Sequence, residues 1–199
     1  MQKNRMTKPI QKRTLKTRAN LISAAKQIID KDNFEALRIE DVISIAGTAK
    51  GTFFAHFKDK DALMDLIIGE KINVYLDEVE TLPPPDSITD ILNAFEPLVQ
   101  FMASERYVFD VIIRYSGAAQ IDQIGHIATT FGRQTTVLES WLSKANFRKD
   151  ISPELQAEGI QAFMIQATAL KFCELHNSQS INDRFSLYLN AWLKPIIAN

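Results

Sequence analysis

The sequence predicts an all-α protein: a three-helix helix-turn-helix head followed by a larger helical body, about nine helices in all. Three observations predict it. Apolar residues recur at three- and four-residue spacing along nearly the whole chain. No segment alternates convincingly as a strand. Helix-start chemistry stands at segment boundaries, as in Ser152-Pro153-Glu154, which offers an N-cap, a proline at the first helical position and an acid in the first turn.

The elements follow in order. Leu21, Ile22, Ala25, Ile28 and Ile29 give the first helix a buried stripe. Residues 38–63, RIEDVISIAGTAKGTFFAHFKDKDAL, hold two short helices around a glycine turn. Ile39, Val42, Ile43 and Ala46 form the apolar face of the first of these. Gly47 suits the turn because it tolerates positive φ, and Thr48 is a candidate N-cap for a second helix reaching Phe57. Phe53 and Phe57 pin that second helix to its neighbours, while Lys50, Thr52, Phe54 and His56 face outward. A long helix over 60–79 carries Met64, Ile68, Ile72, Tyr75, Leu76 and Val79 inside, and Leu82-Pro83-Pro84-Pro85 ends it.

Further helices are expected over 87–103, with Pro97 as a kink or late start, and over 105–117, headed by Ser104 as N-cap. Others follow over 121–144, 153–176 and 181–197, the last with a stripe of Phe185, Tyr188, Leu189, Trp192 and Ile196. Residues 1–13 read as a basic, flexible arm, 14–70 as the head and 71–199 as the body. The boundary near residue 70 falls inside the long helix, because no flexible linker separates the halves.

Composition excludes several classes. With 199 residues, 46% of them hydrophobic, the chain is globular with one or two domains. The single Cys173 excludes an intrachain disulfide. The basic N-terminus lacks an apolar signal core, and no stretch approaches the roughly 18 apolar residues of a membrane span. A cytoplasmic protein with no membrane partner is expected. His56, His126 and His176 are scattered, and neither zinc-ligand spacing nor a glycine-rich phosphate loop occurs. No enzyme, metal or cofactor is therefore expected.

Charge singles out one end. The net charge is −1, yet residues 1–60 carry 13 Lys and Arg against 6 Asp and Glu. The first acid is Asp30, behind a run of cations from Lys3 to Arg18. A basic block beside a helix-turn-helix is the electrostatic footprint of DNA binding.

The same residues resemble the helix-turn-helix of the tetracycline-repressor (TetR) family of bacterial transcriptional regulators. Ile39, Val42, Ala46, Gly47, Gly51, Thr52, Phe53, His56, Phe57, Lys60 and Leu63 match the family pattern in order. The resemblance covers about residues 14–72. Four positions depart: Arg38 stands for a capping Thr, Ile43 for a small Ala, Ala49 for Ser and Phe54 for a Tyr that meets phosphate. The expected DNA contacts are Arg38, Thr48, Ala49, Lys50, Gly51, Thr52, Phe54, His56, Lys58 and Lys60. Lys50 and Thr52 reach base edges in this reading, with Phe54 or Phe53 against a thymine methyl. Arg38, His56, Lys58 and Lys60 hold phosphates.

The resemblance further implies a homodimer, a pseudo-palindromic double-stranded DNA operator and a small amphipathic effector that releases a repressor. Phe95, Phe101, Met102, Phe109, Tyr115, Phe131, Trp141 and Met164 are the pocket candidates. Arg114, Gln120, His126, Arg133, Gln134 and Gln166 are the polar groups that could orient a ligand. The helix over 153–176 is apolar on two sides, which suits a dimer interface through Ile165, Ala169, Phe172 and Cys173. Phe185, Tyr188, Leu189 and Trp192 complete that expected interface. The alternative is a DNA-binding dimer without an effector, since aromatics at helical spacing equally describe a packed core.

Overall fold

The structure, a computed structural model, describes residues 7–117, 124–173, 175 and 178–194, with side chains from residue 12 onward. Among the described residues it is all-helical, with nine helices and no strand. The chain divides into two compact units, Met1–Ile67 and Ile68–Asn199.

The first unit holds α1 (Thr7–Lys31), α2 (Ile39–Ile45), α3 (Lys50–Phe54) and the start of α4 (Lys60–Glu80). α1 begins at Thr7, so residues 7–13 of the expected flexible arm are helical. Leu21, Ala24, Ala25, Ile28, Leu37, Val42, Phe53, Phe57 and Leu63 make its core. Ile22, Ile29, Ile39, Ile43 and Ala46 are only half-buried. Ile43, bulkier than the family's alanine, finds its room at the margin of the core.

The turn after α2 departs from expectation by one residue. The Gly47 amide donates to Ser44 O at 3.2 Å and the Thr48 amide to Ile43 O at 3.0 Å, the paired bonds of a Schellman C-cap. Gly47 takes φ +61, which a side chain would strain. Thr48 is thus bound into the end of α2 and cannot cap α3. The N-cap passes to Ala49, extended at φ −88 and ψ 154, which has no side-chain acceptor to offer.

The second unit continues α4 and adds α5 (Ile88–Met102), α6 (Arg106–Tyr115), α7 (His126–Lys144), α8 (Pro153–Lys171) and α9 (Ile181–Leu193). Ser87 and Asp90 form a reciprocal capping box, so α5 starts at Ile88 and runs through Pro97, which lies on its exposed side. The Ser104 amide closes α5 by donating to Phe101 O at 3.1 Å, leaving Glu105 rather than Ser104 as the N-cap of α6. α6 ends at Tyr115, two residues before Gly117 at φ +94. Ser152 and Ser180 cap α8 and α9, accepting from Leu155 N at 3.2 Å and Asp183 N at 3.0 Å. α8 stops at Lys171 and α9 at Leu193, both short of expectation. The expected helical residues 121–123, 174, 176 and 195–197 lie outside the described residues.

α8 packs against α7 and α9, and α5 against α9. The Trp192 indole lies on Gly159 and donates from Nε1 to Gln156 O at 3.2 Å. Arg133 of α7 reaches three acceptors on α4: Asp77 Oδ1 at 2.7 Å, Glu80 Oε1 at 2.9 Å and Asn73 Oδ1 at 2.9 Å. These carboxylates push the guanidinium pKa up, through the hydrogen bonds it donates to Glu80 first and Asp77 second. Further down α4, Gly69 lets the start of α7 come close. A Cβ placed there would lie 2.6 Å from His126 Cβ and 2.9 Å from its carbonyl carbon. Gly69→Ala is therefore expected to lower stability by about 1–3 kcal/mol, since backbone must move. Gly132→Ala on α7, where a Cβ meets nothing within 4 Å, should instead raise it by about 0.4–1 kcal/mol. Denaturant unfolding of the two variants checks the contrast.

Candidate nucleic-acid interface

α3 is too short to hold its own shape, since helices of this length are unstable alone in water. Tertiary contacts fix it. Phe53 is fully buried, and Phe57, 5.6 Å away between ring centroids, is nearly so. Arg18 of α1 stacks over Phe57 at 4.6 Å and donates to His56 O at 3.4 Å. One cation of the basic N-terminal block is thus engaged in bracing the end of α3.

With Phe53 facing in, the other candidates present themselves outward. Lys50, Gly51 and Phe54 are exposed, Phe54 to 46%, an unusual position for a phenyl ring in an isolated unit. Thr52 and His56 are half-buried. Phe53, the alternative thymine contact, belongs to the core. Arg38 and Lys58 are exposed, Arg38 as the N-cap of α2 without a side-chain cap bond. Lys60 is half-buried and donates to Glu35 O at 3.0 Å, so it ties down the segment after α1. Thr48 is half-buried and Ala49 exposed at the start of α3.

Lys50 has a partner that the sequence reading missed. Its Nζ lies 3.0 Å from Glu40 Oε1, across the turn on the first turn of α2. Both side chains are more than 60% exposed, so the pair is weak and can open. The Lys50 hydrogen bond, aided by its charge, holds the Glu40 carboxyl below the usual carboxylate pKa. The ten-residue separation spans two helices, so no same-helix spacing rule signals this pair.

In the second unit, Phe95, Phe101, Met102, Phe109, Trp141 and Met164 are buried, with Tyr115 and Phe131 half-buried. Several pair with one another or with neighbours: Phe95 with Trp141 at 6.1 Å, Phe101 with Tyr75 at 5.7 Å and Phe109 with Phe172 at 5.7 Å. Trp141 lines a cleft of about 380 Å³ walled by Leu82, Pro83, Pro84, Pro85 and Ala94, with Asp86, Asp90 and Asn93 at its polar side.

The polar candidates scatter. Arg114, His126 and Gln166 are exposed, and Arg133 is committed to α4. Gln134 is buried, accepting from Gln161 Nε2 at 3.0 Å and donating to Met164 Sδ at 3.5 Å. Gln120 lies outside the described residues, as does His176.

Among the expected dimer residues, Phe185 and Leu189 are buried within the unit itself, because α9 packs them against its own neighbours. They belong to the core. Ile165, Ala169, Phe172, Cys173, Tyr188 and Trp192 stay half-buried, and Leu155 and Leu187 are 45% and 58% exposed.

Residues 21–67 match the family model described as bacterial regulatory proteins, tetR family. The match lies in the helix-turn-helix head, so the likeness to the TetR family is carried by the head. A DNA-binding transcriptional regulator is the function this match supports. Over 156 residues it is 27% identical to an uncharacterised HTH-type transcriptional regulator, YvdT, of Bacillus subtilis (strain 168), covering 77% of each protein. Two solved structures share the fold. FadR of Thermus thermophilus, in complex with lauroyl-CoA, gives a TM-score of 0.65 at 15% identity, over 92% of this chain and 96% of that one. The complex of SmeT with triclosan gives 0.59 at 16% identity, over 89% and 92%, SmeT being the repressor of a Stenotrophomonas maltophilia efflux pump. Among the described residues, no helix is long and apolar enough to cross a membrane.

Ala49, the N-cap of α3, offers no side-chain acceptor to the first turn of that helix. Ala49→Ser is expected to raise stability by about 1 kcal/mol by accepting an amide of the first turn of α3. Thermal unfolding measures the gain, and an unchanged or lowered midpoint would show that the turn already satisfies those amides another way.

Proposed function

We propose that this regulator is a homodimeric repressor that sits on a pseudo-palindromic operator and leaves it when a small amphipathic ligand occupies the body. The observation that carries the DNA half of this reading is the outward set Lys50, Thr52 and Phe54 on a helix locked from behind by Phe53. Lys50 suits guanine O6 and N7, Phe54 suits a thymine methyl, and Gly51 admits close approach of the backbone. Arg38, His56 and Lys58 serve as phosphate anchors around them, joined by Thr48, Ala49 and Lys60 at the margins.

Two heads are needed, because one short helix reads too few base pairs. In a two-fold dimer they enter successive major grooves about 34–36 Å apart. The half-buried and exposed apolar residues of α8 and α9, among them Ile165, Ala169, Tyr188 and Leu187, supply the face on which two copies pair. The protein works in this reading as a cytoplasmic regulator and not as an enzyme.

The ligand half is supported by the complexes that FadR and SmeT make with lauroyl-CoA and triclosan, and by the cleft at Trp141. One observation favours a second reading. Five of the eight pocket candidates, Phe95, Phe101, Met102, Phe109 and Met164, are buried and do not line that cleft, which is what a DNA-binding dimer without an effector would show. Titration of the operator complex with acyl thioesters and with chlorinated phenols decides: release at micromolar ligand supports the first reading, and indifference supports the second.

Three outcomes are expected on DNA. Selection from random duplexes should recover a pseudo-palindrome bound at least about a thousandfold above random sequence. Lys58→Ala should weaken all sequences alike and reduce the salt slope by about one, whereas Phe54→Ala should relax preference at one base position. Leu187→Glu, at an exposed position, should give monomers in sedimentation without loss of helicity. Dimers that persist in that variant would move the interface off α9.

A further inference from the structure

We propose that the early turns of α1 are a second DNA-binding element, in which Lys12, Arg13 and Lys16 hold phosphates beside the groove that α3 enters. The inference rests on the reading of α3 as the base-reading helix. It starts from a helix that is longer than its core. α1 begins at Thr7, yet from residue 12 onward its first buried side chain is Leu21. Side chains 12–16 are all exposed, Leu15 to 60%. More than one turn of helix therefore stands clear of the head's core.

The charge on that stretch works against the helix. No acid precedes Asp30, and none lies in the first turn of α1, where an anion would suit the macrodipole. Lys12 and Lys16 stand four residues apart, Arg13 and Lys16 three, spacings at which like charges repel on a helix surface. Neither burial nor pairing along the helix favours this arrangement in the free protein. A polyanion does, because it neutralises all three cations and releases its own condensed counterions.

The place of α1 in the head says which polyanion. Arg18 of the same helix lies over Phe57 and donates to His56 O, at the end of α3. Lys16, Arg13 and Lys12 stand about 3, 7.5 and 9 Å from it along the helix axis. The cations thus lead away from the edge of α3 where His56 and Lys58 are the proposed anchors. Phosphate carries no sequence information, so these three residues raise affinity for every duplex and specify none.

The test compares the parent with the triple variant Lys12→Gln, Arg13→Gln, Lys16→Gln. A control carries Lys144→Gln and Lys194→Gln, two exposed cations of the body. Glutamine keeps helix propensity and removes the repulsion, so the fold of α1 is retained. Binding is titrated over a range of salt against a random-sequence duplex and against the duplex recovered by selection. The triple variant should reduce the salt slope by about two to three on both duplexes. It should weaken both by the same factor and select the same consensus, while the control keeps the parent's slope. In the parent, amide hydrogen exchange over residues 12–16 should slow when DNA is added.

An unchanged slope overturns the proposal, since α1 then stays off the DNA. An equal fall in the control overturns it too, leaving only overall charge. Exchange over residues 12–16 that ignores DNA, or a changed consensus, does the same. If the parent binds no duplex, the reading of α3 fails and this inference with it. A parent with a consensus and an indifferent triple variant overturns the α1 contact alone.

Discussion

The seating of Phe53 in the core of the head is the constraint on which the proposed DNA-facing surface depends. A helix of this length carries no stability of its own, so its place and its rotation come from what it buries. Phe53 and Phe57 are buried, as are Leu21, Val42 and Leu63 of the same unit, and the outward residues of α3 follow from that choice. Arg18 closes the arrangement by covering Phe57 and binding the carbonyl of His56. A basic residue that looks like a DNA contact in the sequence is here part of the scaffold. The head therefore divides its cations into those that build and those that remain to bind.

The body solves a different problem. It must enclose long helices, and it does so partly with buried amides. Gln156 donates to the carbonyls of Arg148 and Ile151 at 2.8 and 3.0 Å and lies under Trp192. Gln134 and Gln161 join α7 to α8 around Met164. Such amides specify register, because each fits one set of partners and is costly to leave unpaired.

The all-α architecture was legible because helical periodicity is a property of each segment alone. So were the Phe53–Phe57 pin, the proline stop after α4 and the Ser152 cap. Boundaries were less so. Thr48 and Ser104 look like caps, but each is claimed by the helix before it, and only the hydrogen bonds of the turn decide the contest. The candidate site was legible in its outward residues and illegible in its pairings. Lys50–Glu40 and Lys60–Glu35 join different elements, and nothing local in the sequence marks them. Phe185 and Leu189 failed as interface residues for a related reason: an apolar stripe does not say whether its partner is the same chain or another.

The indole of Trp192 rests where a side chain at position 159 would be, its Nε1 overlapping the place of the Cβ that glycine lacks. The distance between α8 and α9 is thereby written into two positions jointly. In descent, neither can drift alone: a side chain at 159 demands a smaller ring at 192, and a smaller ring at 192 leaves a hole unless 159 fills it. Lineages that share this body should show the two sites changing as a couple, a covariation that measures the spacing of two helices.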